Sequence, residues 1–193
     1  MLIALYEYNV SKKGGRMKMK ISIIIGFACF SLTAHVLNAE TVDSYIEKGN
    51  EYVKNENFNE AIECYTEALK SLPNDAQIHY NLGVAYGRNG MWDKAIQAFE
   101  KVSELNPNHT NNYYNLGIAY GNIGKWNLAY KTFKKLVQLQ PKDSDAHYNI
   151  ALIGVVLNDK KIIEEEYKIL GKIAPDLALK IEDMLNRANL SIV

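Results

Sequence analysis

The apolar and polar positions of this chain recur together with a fixed period. Residues 80–107 begin Tyr-Asn-Leu-Gly and end Leu-Asn-Pro, and the same pattern returns 34 residues later over 114–141, which begins Tyr-Asn-Leu-Gly and ends Leu-Gln-Pro. A period of this length is typical of a unit of two antiparallel helices that stacks on copies of itself. The pattern therefore predicts a repeated helical hairpin.

Four such units cover the chain, with bounds 42–75, 76–109, 110–143 and 144–177. Small residues at positions 8 and 20 predict a close approach of the two helices, beside an aromatic residue at position 24. Proline at position 32 ends the second helix because it cannot continue one. In chain order these positions hold Gly49, Gly83, Gly117 and Ala151, then Ala61, Ala95, Ala129 and Ile163, then Tyr65, Phe99, Phe133 and Tyr167, then Pro73, Pro107, Pro141 and Pro175.

The fourth unit is the weakest copy of the pattern. It has Gly154 where a tyrosine is expected and bulky Ile163 at position 20. After Pro175, a last helix is predicted over about 176–188 because its apolar residues fall on one face. Residues 178–193 are expected to form a capping helix and tail that keep the open stack soluble. The pattern predicts nine helices in total.

These positions, with leucine at position 7 and tyrosine at position 11, resemble the tetratricopeptide repeat. The leucines are Leu82 and Leu116, and the tyrosines are Tyr52, Tyr86 and Tyr120. The resemblance covers 136 of the 193 residues. It implies an all-α fold, a right-handed superhelical solenoid of antiparallel helix pairs with a C-terminal capping helix. Gly90 and Gly124, at position 15, are expected to end first helices as left-handed residues.

The region before the repeats has the three-part layout of a secretory signal peptide. Residues 17–39 contain a short basic stretch, an apolar run, and smaller, more polar residues ending in Ala39, after which cleavage is expected. The run is shorter than the roughly 20 residues of a typical membrane-spanning helix. An uncleaved anchor over 21–39 is the alternative.

Residues 1–16 do not fit in front of such a leader. We hypothesise that they are an over-annotated start and that translation begins at Met17 or Met19. With the leader, this predicts an exported bacterial protein of the periplasm or cell envelope, or a protein anchored in the membrane by residues 21–39.

The charge of the chain is unevenly distributed. Five of the 22 basic residues and one of the 22 acidic residues precede Glu40, so the rest of the chain has 17 basic and 21 acidic residues, a net charge of −4. A nucleic-acid-binding protein needs a basic face. No nucleic-acid partner is therefore expected, and a membrane is expected only through an uncleaved leader.

The repeats contain no recognisable catalytic arrangement. His79 and His147 both occupy position 4, but two stacked repeats separate them by more than one metal ion can bridge, so a packing role is expected. His109, at a repeat junction, is expected to be solvated. Cys64 is expected to be a small buried hydrophobic side chain, and the acidic run 164–166 a solvated helix face. We predict no enzyme activity, no metal and no cofactor.

Candidate binding residues follow from the resemblance. In tetratricopeptide repeats, positions 2, 5, 6, 9, 12 and 13 of the first helix tend to face a concave groove. An asparagine amide both donates and accepts hydrogen bonds, so it can pair with a peptide backbone whatever its side chains are. The pattern resembles the asparagine ladder in the repeats of O-GlcNAc transferase. Positions 6 and 5 supply the predicted peptide-binding residues, which are Asn81, Asn115 and Asn149 with Tyr80, Tyr114 and Tyr148.

This interpretation has two alternatives. The first is that these residues are simply the commonest ones of the family at those positions. The second is the carboxylate clamp of this family, which binds acidic tails through basic residues at positions 2, 5 and 6. It is disfavoured because Lys54 and Arg88, at position 13, are the only basic groove candidates, and position 2 holds Asp43, Gln77, Asn111 and Asp145.

The combined prediction is a protein-interaction module or adaptor that binds an extended peptide segment of a protein partner in the groove, in cell-envelope assembly. One alternative is a self-associating structural scaffold. Another is a membrane-anchored accessory subunit of an envelope complex.

Overall fold

The computed structural model describes residues 10–12, 15–17 and 42–187, and the chain divides into two units at Glu40. In the first unit, β1 (Val10–Lys12) pairs antiparallel with β2 (Gly15–Met17), with Ser11 opposite Arg16. Most of the predicted leader, residues 18–39, lies outside the described residues. The predictions of a signal peptide, an anchor and a later start therefore remain predictions.

The second unit is helical throughout its described part. Its nine helices are α1 (residues 42–54), α2 (Phe58–Ser71), α3 (Ala76–Arg88), α4 (Trp92–Leu105), α5 (Thr110–Asn122), α6 (Trp126–Leu139), α7 (Ser144–Leu157), α8 (Lys160–Ile173) and α9 (Pro175–Arg187). Consecutive helices pack against each other along the whole series. The predicted all-α solenoid of antiparallel helix pairs is confirmed.

Local signals in the sequence explain where these helices begin and end. The side chains of Asp75 and Asp143 accept hydrogen bonds from the first turns of α3 and α7, at 2.9 Å in each case, which satisfies donors that have no partner inside a helix. Gly90 and Gly124 have φ of 73° and 71° after α3 and α5, as predicted for left-handed residues. Each second helix ends two residues before its position-32 proline.

The close approach inside each of the first three hairpins is between the glycine at position 8 and the aromatic ring at position 24. A Cβ atom added to Gly117 would lie 2.6 Å from the ring of Phe133, and the same construction at Gly83 meets Phe99 at 2.5 Å. These distances are far below ordinary carbon–carbon contacts of about 3.5–4.0 Å. Glycine is therefore required here by packing, although alanine would form a better helix.

In repeat four, the large and the small residue of two packing positions, 11 and 20, are exchanged relative to the first three repeats. In the first three repeats, position 20 is a fully buried alanine and position 11 is a tyrosine. In repeat four, Ile163 fills position 20 from α8, and a Cβ on Gly154 would meet Ile162 at 2.9 Å and Ile163 at 3.1 Å. The two departures that make this copy look weak therefore compensate for each other.

Residues at position 4 of repeats two, three and four join the first helix of the repeat to the turn before it. The Nε2 atoms of His79 and His147 lie 2.8 Å and 3.1 Å from the carbonyl oxygens of the prolines six residues earlier, and the hydroxyl of Tyr113 donates to the equivalent carbonyl of Pro107 at 3.0 Å. The proline cannot donate a backbone hydrogen bond, but its carbonyl is used in all three places. The two histidines have the packing role that was expected.

One sequence prediction about charge is wrong. Glu166, in the acidic run 164–166, is 2% exposed, because it lies on the face of α8 that packs against α7. Its carboxylate is 2.5 Å from Nδ1 of buried His147 and 3.8 Å from Nζ of Lys134 on α6. The other ring nitrogen of His147, Nε2, faces the backbone carbonyl of Pro141. Together with Lys134, the pair joins α6, α7 and α8.

Helix α9 closes the stack. Ala178, Ile181 and Leu185 on one of its faces are buried together with residues of α7 and α8. The opposite face includes exposed Lys180 and Asp183. This is the arrangement expected of a terminal cap with a solvated outer surface.

Candidate functional site

The candidate site is the groove formed by positions 2, 5, 6, 9, 12 and 13 of the first helices α1, α3, α5 and α7. All six predicted binding residues are half-buried, so each is partly accessible and partly held by the protein. The helical repeat places each asparagine at an equivalent point of its helix. The asparagines differ, however, in the contacts that they make.

Asn81 belongs to a chain of amide hydrogen bonds between α1 and α3. Its Oδ1 accepts from Nε2 of Gln77 at 2.8 Å, and its Nδ2 donates to Oδ1 of Asn50 at 3.3 Å. The same oxygen of Asn50 accepts from the hydroxyl of Tyr65 at 2.7 Å. The first two repeats are therefore joined by side-chain amides.

Asn115 is joined to the preceding repeat through Tyr80. Its Nδ2 donates to the Tyr80 hydroxyl at 3.0 Å. Burial raises the pKa of Tyr80 above its ordinary value, and the hydrogen bond from Asn115 partly offsets that rise. Tyr80 consequently stays neutral and keeps a hydroxyl proton to donate. The contact between two of the predicted residues was not foreseen from the sequence.

Tyr80 also packs against two rings. Its ring centroid is 4.7 Å from that of His109 and 6.0 Å from that of Phe99. His109 was expected to be solvated, and that expectation is wrong. The ring is half-buried, and its Nδ1 accepts from the backbone N–H of Asn112 at 3.1 Å, so His109 caps α5. Stacking on Tyr80 requires the tertiary fold, so the sequence carried no signal for it.

The third asparagine is bonded differently from the other two. Nδ2 of Asn149 donates to the backbone carbonyl of Asp145, one turn earlier in α7, at 2.7 Å. Tyr148 packs against the cluster formed by α7, α8 and α9, and Tyr114 lies edge-on to Phe133 at 5.9 Å. Each amide has two N–H groups and one carbonyl oxygen, so one hydrogen bond at Asn115 and at Asn149 leaves further capacity for a ligand.

An apolar cavity lies at the C-terminal end of the groove and was missed by the sequence analysis. It has a volume of about 400 Å³ and is lined by α5, α6, α7 and α9. Its lining residues include Ile118, Trp126, Leu152, Val156 and Met184. The apolar residues at positions 9, 12 and 13 of repeat four were a sequence signal for it. No sequence signal indicated that Met184 of the capping helix α9 lines the cavity.

The groove changes character along its length. At positions 9 and 13 the first repeat has Asn50 and Lys54, and the second has Val84 and Arg88. The fourth has leucine and valine there. At these two positions formal charges lie toward the N-terminal repeats and apolar area toward the C-terminal ones, although Asp145 at position 2 also gives the fourth repeat a formal charge. This gradient distinguishes the two ends of any bound segment.

Chemistry outside the groove is sparse. Cys64 is half-buried, where a fully buried side chain was expected, and burial raises the pKa of its thiol, which disfavours the reactive thiolate. Within residues 42–187 and the short strands before them, no group of three or more His, Cys, Asp or Glu side chains could hold a metal ion. In that same part of the chain, no helix has the length and apolar character needed to cross a membrane.

Family models match three overlapping stretches of the chain. One described as TPR repeat matches residues 49–90, and two described as tetratricopeptide repeat match residues 76–109 and 98–131. The second of these stretches has the same bounds as the second predicted unit. The chain belongs to the tetratricopeptide-repeat family. Proteins with this fold are typically non-catalytic interaction scaffolds, and the repeats here support a protein-interaction module.

Solved structures of other tetratricopeptide-repeat proteins share this fold. The crystal structure of MamA protein aligns with a TM-score of 0.68 at 23% identity, over 80% of this chain and 99% of that one. A MamA fragment, 41-end, from Desulfovibrio magneticus RS-1 aligns with a TM-score of 0.70 at 22% identity, over 77% and 86%. At these identities the likeness shows the fold alone.

Two further structures are described by their peptide binding. YrrB, a TPR protein with an unusual peptide-binding site, aligns with a TM-score of 0.69 at 25% identity, over 80% of this chain and 81% of that one. The first TPR of Spaghetti (RPAP3), bound to the HSP90 peptide SRMEEVD, aligns with a TM-score of 0.59 at 27% identity, over 62% and 95%. No curated protein sequence matches this chain significantly.

Proposed function

We propose that this tetratricopeptide-repeat protein is a non-catalytic adaptor that binds an extended peptide segment of a protein partner in its groove. The observation that carries the proposal is the line of half-buried amides at position 6. Asn81, Asn115 and Asn149 are held by hydrogen bonds to the protein itself. Side chains held in this way lose less conformational freedom when a ligand binds.

The chemistry of the line favours a peptide backbone over a charged group. An amide can accept from a backbone N–H and donate to a backbone carbonyl, whereas recognition of a carboxylate calls for Arg or Lys. The peptide binding named for YrrB and RPAP3 supports the same general function. The HSP90 peptide bound by RPAP3 is acidic. We propose a different type of ligand for this groove, because its positions 2, 5 and 6 lack basic residues.

Export to the bacterial periplasm or cell envelope, and a role in envelope assembly, are further parts of the proposal. They rest on the predicted signal peptide at 17–39 alone. The alternative retains residues 21–39 as a membrane anchor. The mass of the protein isolated from the envelope distinguishes the two, because cleavage after Ala39 removes the leader and retention does not.

The test is crosslinking in cells followed by capture and mass spectrometry. The natural protein is compared with a triple variant in which Asn81, Asn115 and Asn149 are changed to alanine. A control triple variant changes exposed asparagines outside the groove to alanine, at Asn55, Asn108 and Asn127. Both variants must keep the helicity of the natural protein by circular dichroism.

The expected result is a set of partners that the natural protein and the control variant capture and the groove variant loses. Equal capture by all three proteins would contradict the proposal. Capture only of further copies of the protein, with a particle size that grows with concentration in light scattering, would favour the self-associating scaffold.

A further inference from the structure

The apolar cavity at the C-terminal end of the groove is built from two repeats and the cap. Ile118 comes from α5, Trp126 from α6, Leu152 and Val156 from α7, and Met184 from α9. Val156 is 53% exposed and lies on the open side. The cavity has a volume of about 400 Å³. This is toward the lower end of the range for ligand pockets, roughly 300–1,000 Å³. That size suits one bulky side chain with the backbone beside it.

None of the residues that line the cavity carries a formal charge. A carboxylate or ammonium group moved into it would lose hydration without gaining a charged partner, which is strongly unfavourable. A chain terminus or an acidic side chain therefore does not fit. An uncharged, apolar side chain does, because it exchanges water for apolar contacts.

The polar side-chain groups among the lining residues are two asparagine amides and the indole N–H of Trp126. Asn149, from the position-6 line, and Asn122, at position 13, are both among the lining residues. One N–H of each is engaged by a carbonyl of its own helix, at 2.7 Å for Asn149 and 2.9 Å for Asn122. The remaining amide groups suit the backbone on either side of an inserted side chain.

The corresponding place between repeats two and three has a different chemistry. Positions 12 and 13 there are Gly87 with Arg88 on one helix and Gly121 with Asn122 on the next. In repeat four both positions are valine. The apolar character is therefore specific to the C-terminal end, where Met184 of the cap adds the last wall.

We propose that this cavity is the specificity pocket of the groove and takes one bulky apolar side chain, of leucine or phenylalanine type, from an extended peptide. The segments of that peptide next to the inserted side chain are uncharged. The inference rests on the proposed peptide-binding function and deepens it. The asparagines at position 6 would bind the backbone of the peptide, and the cavity would select one of its side chains.

Trp126 supplies a direct readout. It is one of the two tryptophans in the chain, and its ring lies 3.5 Å from where a Cβ on Gly121 would be, at the floor of the groove. In isotope-labelled protein the indole N–H signals of Trp92 and Trp126 are resolved by NMR and assigned with the Trp92→Phe variant. A ligand in the cavity moves the Trp126 signal and leaves the Trp92 signal in place.

The probes are capped peptides of the form acetyl-Gly-Ser-X-Ser-Gly-amide, with phenylalanine, leucine, alanine or glutamate at X. A peptide that buries a large apolar side chain is expected to bind about tenfold or more tightly than the same peptide with alanine at that position. The phenylalanine and leucine peptides are expected to shift the Trp126 signal saturably, and the alanine and glutamate peptides to bind at least about tenfold more weakly.

Two neighbouring substitutions separate the cavity from the general surface. Val156→Asp places a charge in the cavity and is expected to weaken the phenylalanine peptide by about tenfold or more. Leu157→Asp is the matched control, since Leu157 is also exposed and lies outside the lining. It is expected to leave the affinity unchanged.

Several results would overturn the proposal. They are equal binding of the glutamate and phenylalanine peptides, no effect of Val156→Asp, or a Trp126 signal that no peptide moves. A Trp126 signal that moves with protein concentration alone, together with a growing particle size, would assign the cavity to a second copy of the chain. The peptide assay does not use the natural partner, so it can fail while the asparagine variant still loses its partners, and the two proposals remain distinguishable.

Discussion

Two glycines one helical turn apart in α5 are expected to respond in opposite ways to the same substitution. A Cβ on Gly117 would lie 2.6 Å from the ring of Phe133, and a Cβ on Gly121 would lie 3.5 Å from the ring of Trp126. The first distance is about 1 Å shorter than an ordinary carbon–carbon contact, and the second is an ordinary contact. Gly117 is in the middle of α5 and Gly121 is its second-last residue, so the intrinsic advantage of alanine is expected to be smaller at Gly121.

The expected magnitudes follow from two opposing effects. Alanine stabilises a helix interior by roughly 0.5–1 kcal/mol relative to glycine. Overpacking a filled core costs about 1–3 kcal/mol, and the ring of Phe133 is 2% exposed, so it has little room to move. We therefore expect Gly117→Ala to lower the free energy of unfolding by about 1 kcal/mol, and Gly121→Ala to raise it by about 0.5 kcal/mol.

Urea unfolding followed by circular dichroism measures both effects. With a slope of roughly 1–3 kcal/mol per molar urea, Gly117→Ala should lower the midpoint by about 0.5 M, and Gly121→Ala should raise it slightly. The double variant Gly117→Ala, Phe133→Leu tests the cause, because the smaller side chain should relieve part of the clash. A Gly117→Ala midpoint equal to or above that of the natural protein would show that the close approach is not what requires glycine.

Three further predictions concern buried side chains. Ile163→Ala should lower the free energy of unfolding by about 2–4 kcal/mol in urea unfolding, because Gly154 cannot fill the space left behind; a loss below about 1 kcal/mol would contradict the compensating exchange. Glu166→Ala should lower the free energy of unfolding by about 3 kcal/mol, because it leaves His147 without its buried partner. The exposed control Glu165→Ala should lower it by less than about 0.5 kcal/mol in the same assay. Burial raises the pKa of Tyr65 to about 12, above its ordinary value of 10.0, so its contribution to stability is present below pH 10 and is lost as the pH rises toward 12. Urea midpoints at pH 9 and 11 should fall less in Tyr65→Phe than in the natural protein, and an equal fall would refute the assignment.

The repeat architecture could be predicted from the sequence because its causes are local and occur four times. A proline ends a helix, and a glycine with positive φ ends another, whatever surrounds them. Gly90, Gly124 and the position-32 prolines therefore marked the helix ends correctly. The small residue at position 8 also signalled a close approach, although its partner, the ring at position 24, became clear only in the structure.

The candidate site could be predicted only in outline. Helical periodicity places Asn81, Asn115 and Asn149 at equivalent points of successive helices. Whether an amide is free or bonded depends on what the neighbouring helix brings to it. The hydrogen bond from Asn115 to Tyr80 spans 35 residues, and neither residue type predicts it.

The sequence by itself determined the helical repeat and the number of units, because these follow from backbone preferences and from a period that each unit repeats. The positions expected to line the groove follow from the resemblance to the tetratricopeptide repeat and remain a prediction. Only the tertiary structure decided that Glu166 is buried against His147, that His109 stacks on Tyr80, and that Met184 completes an apolar cavity. These features depend on distances between helices that are far apart in the chain. Such distances are set by how side chains of different volume pack together. The order of residue types along the chain does not specify that packing.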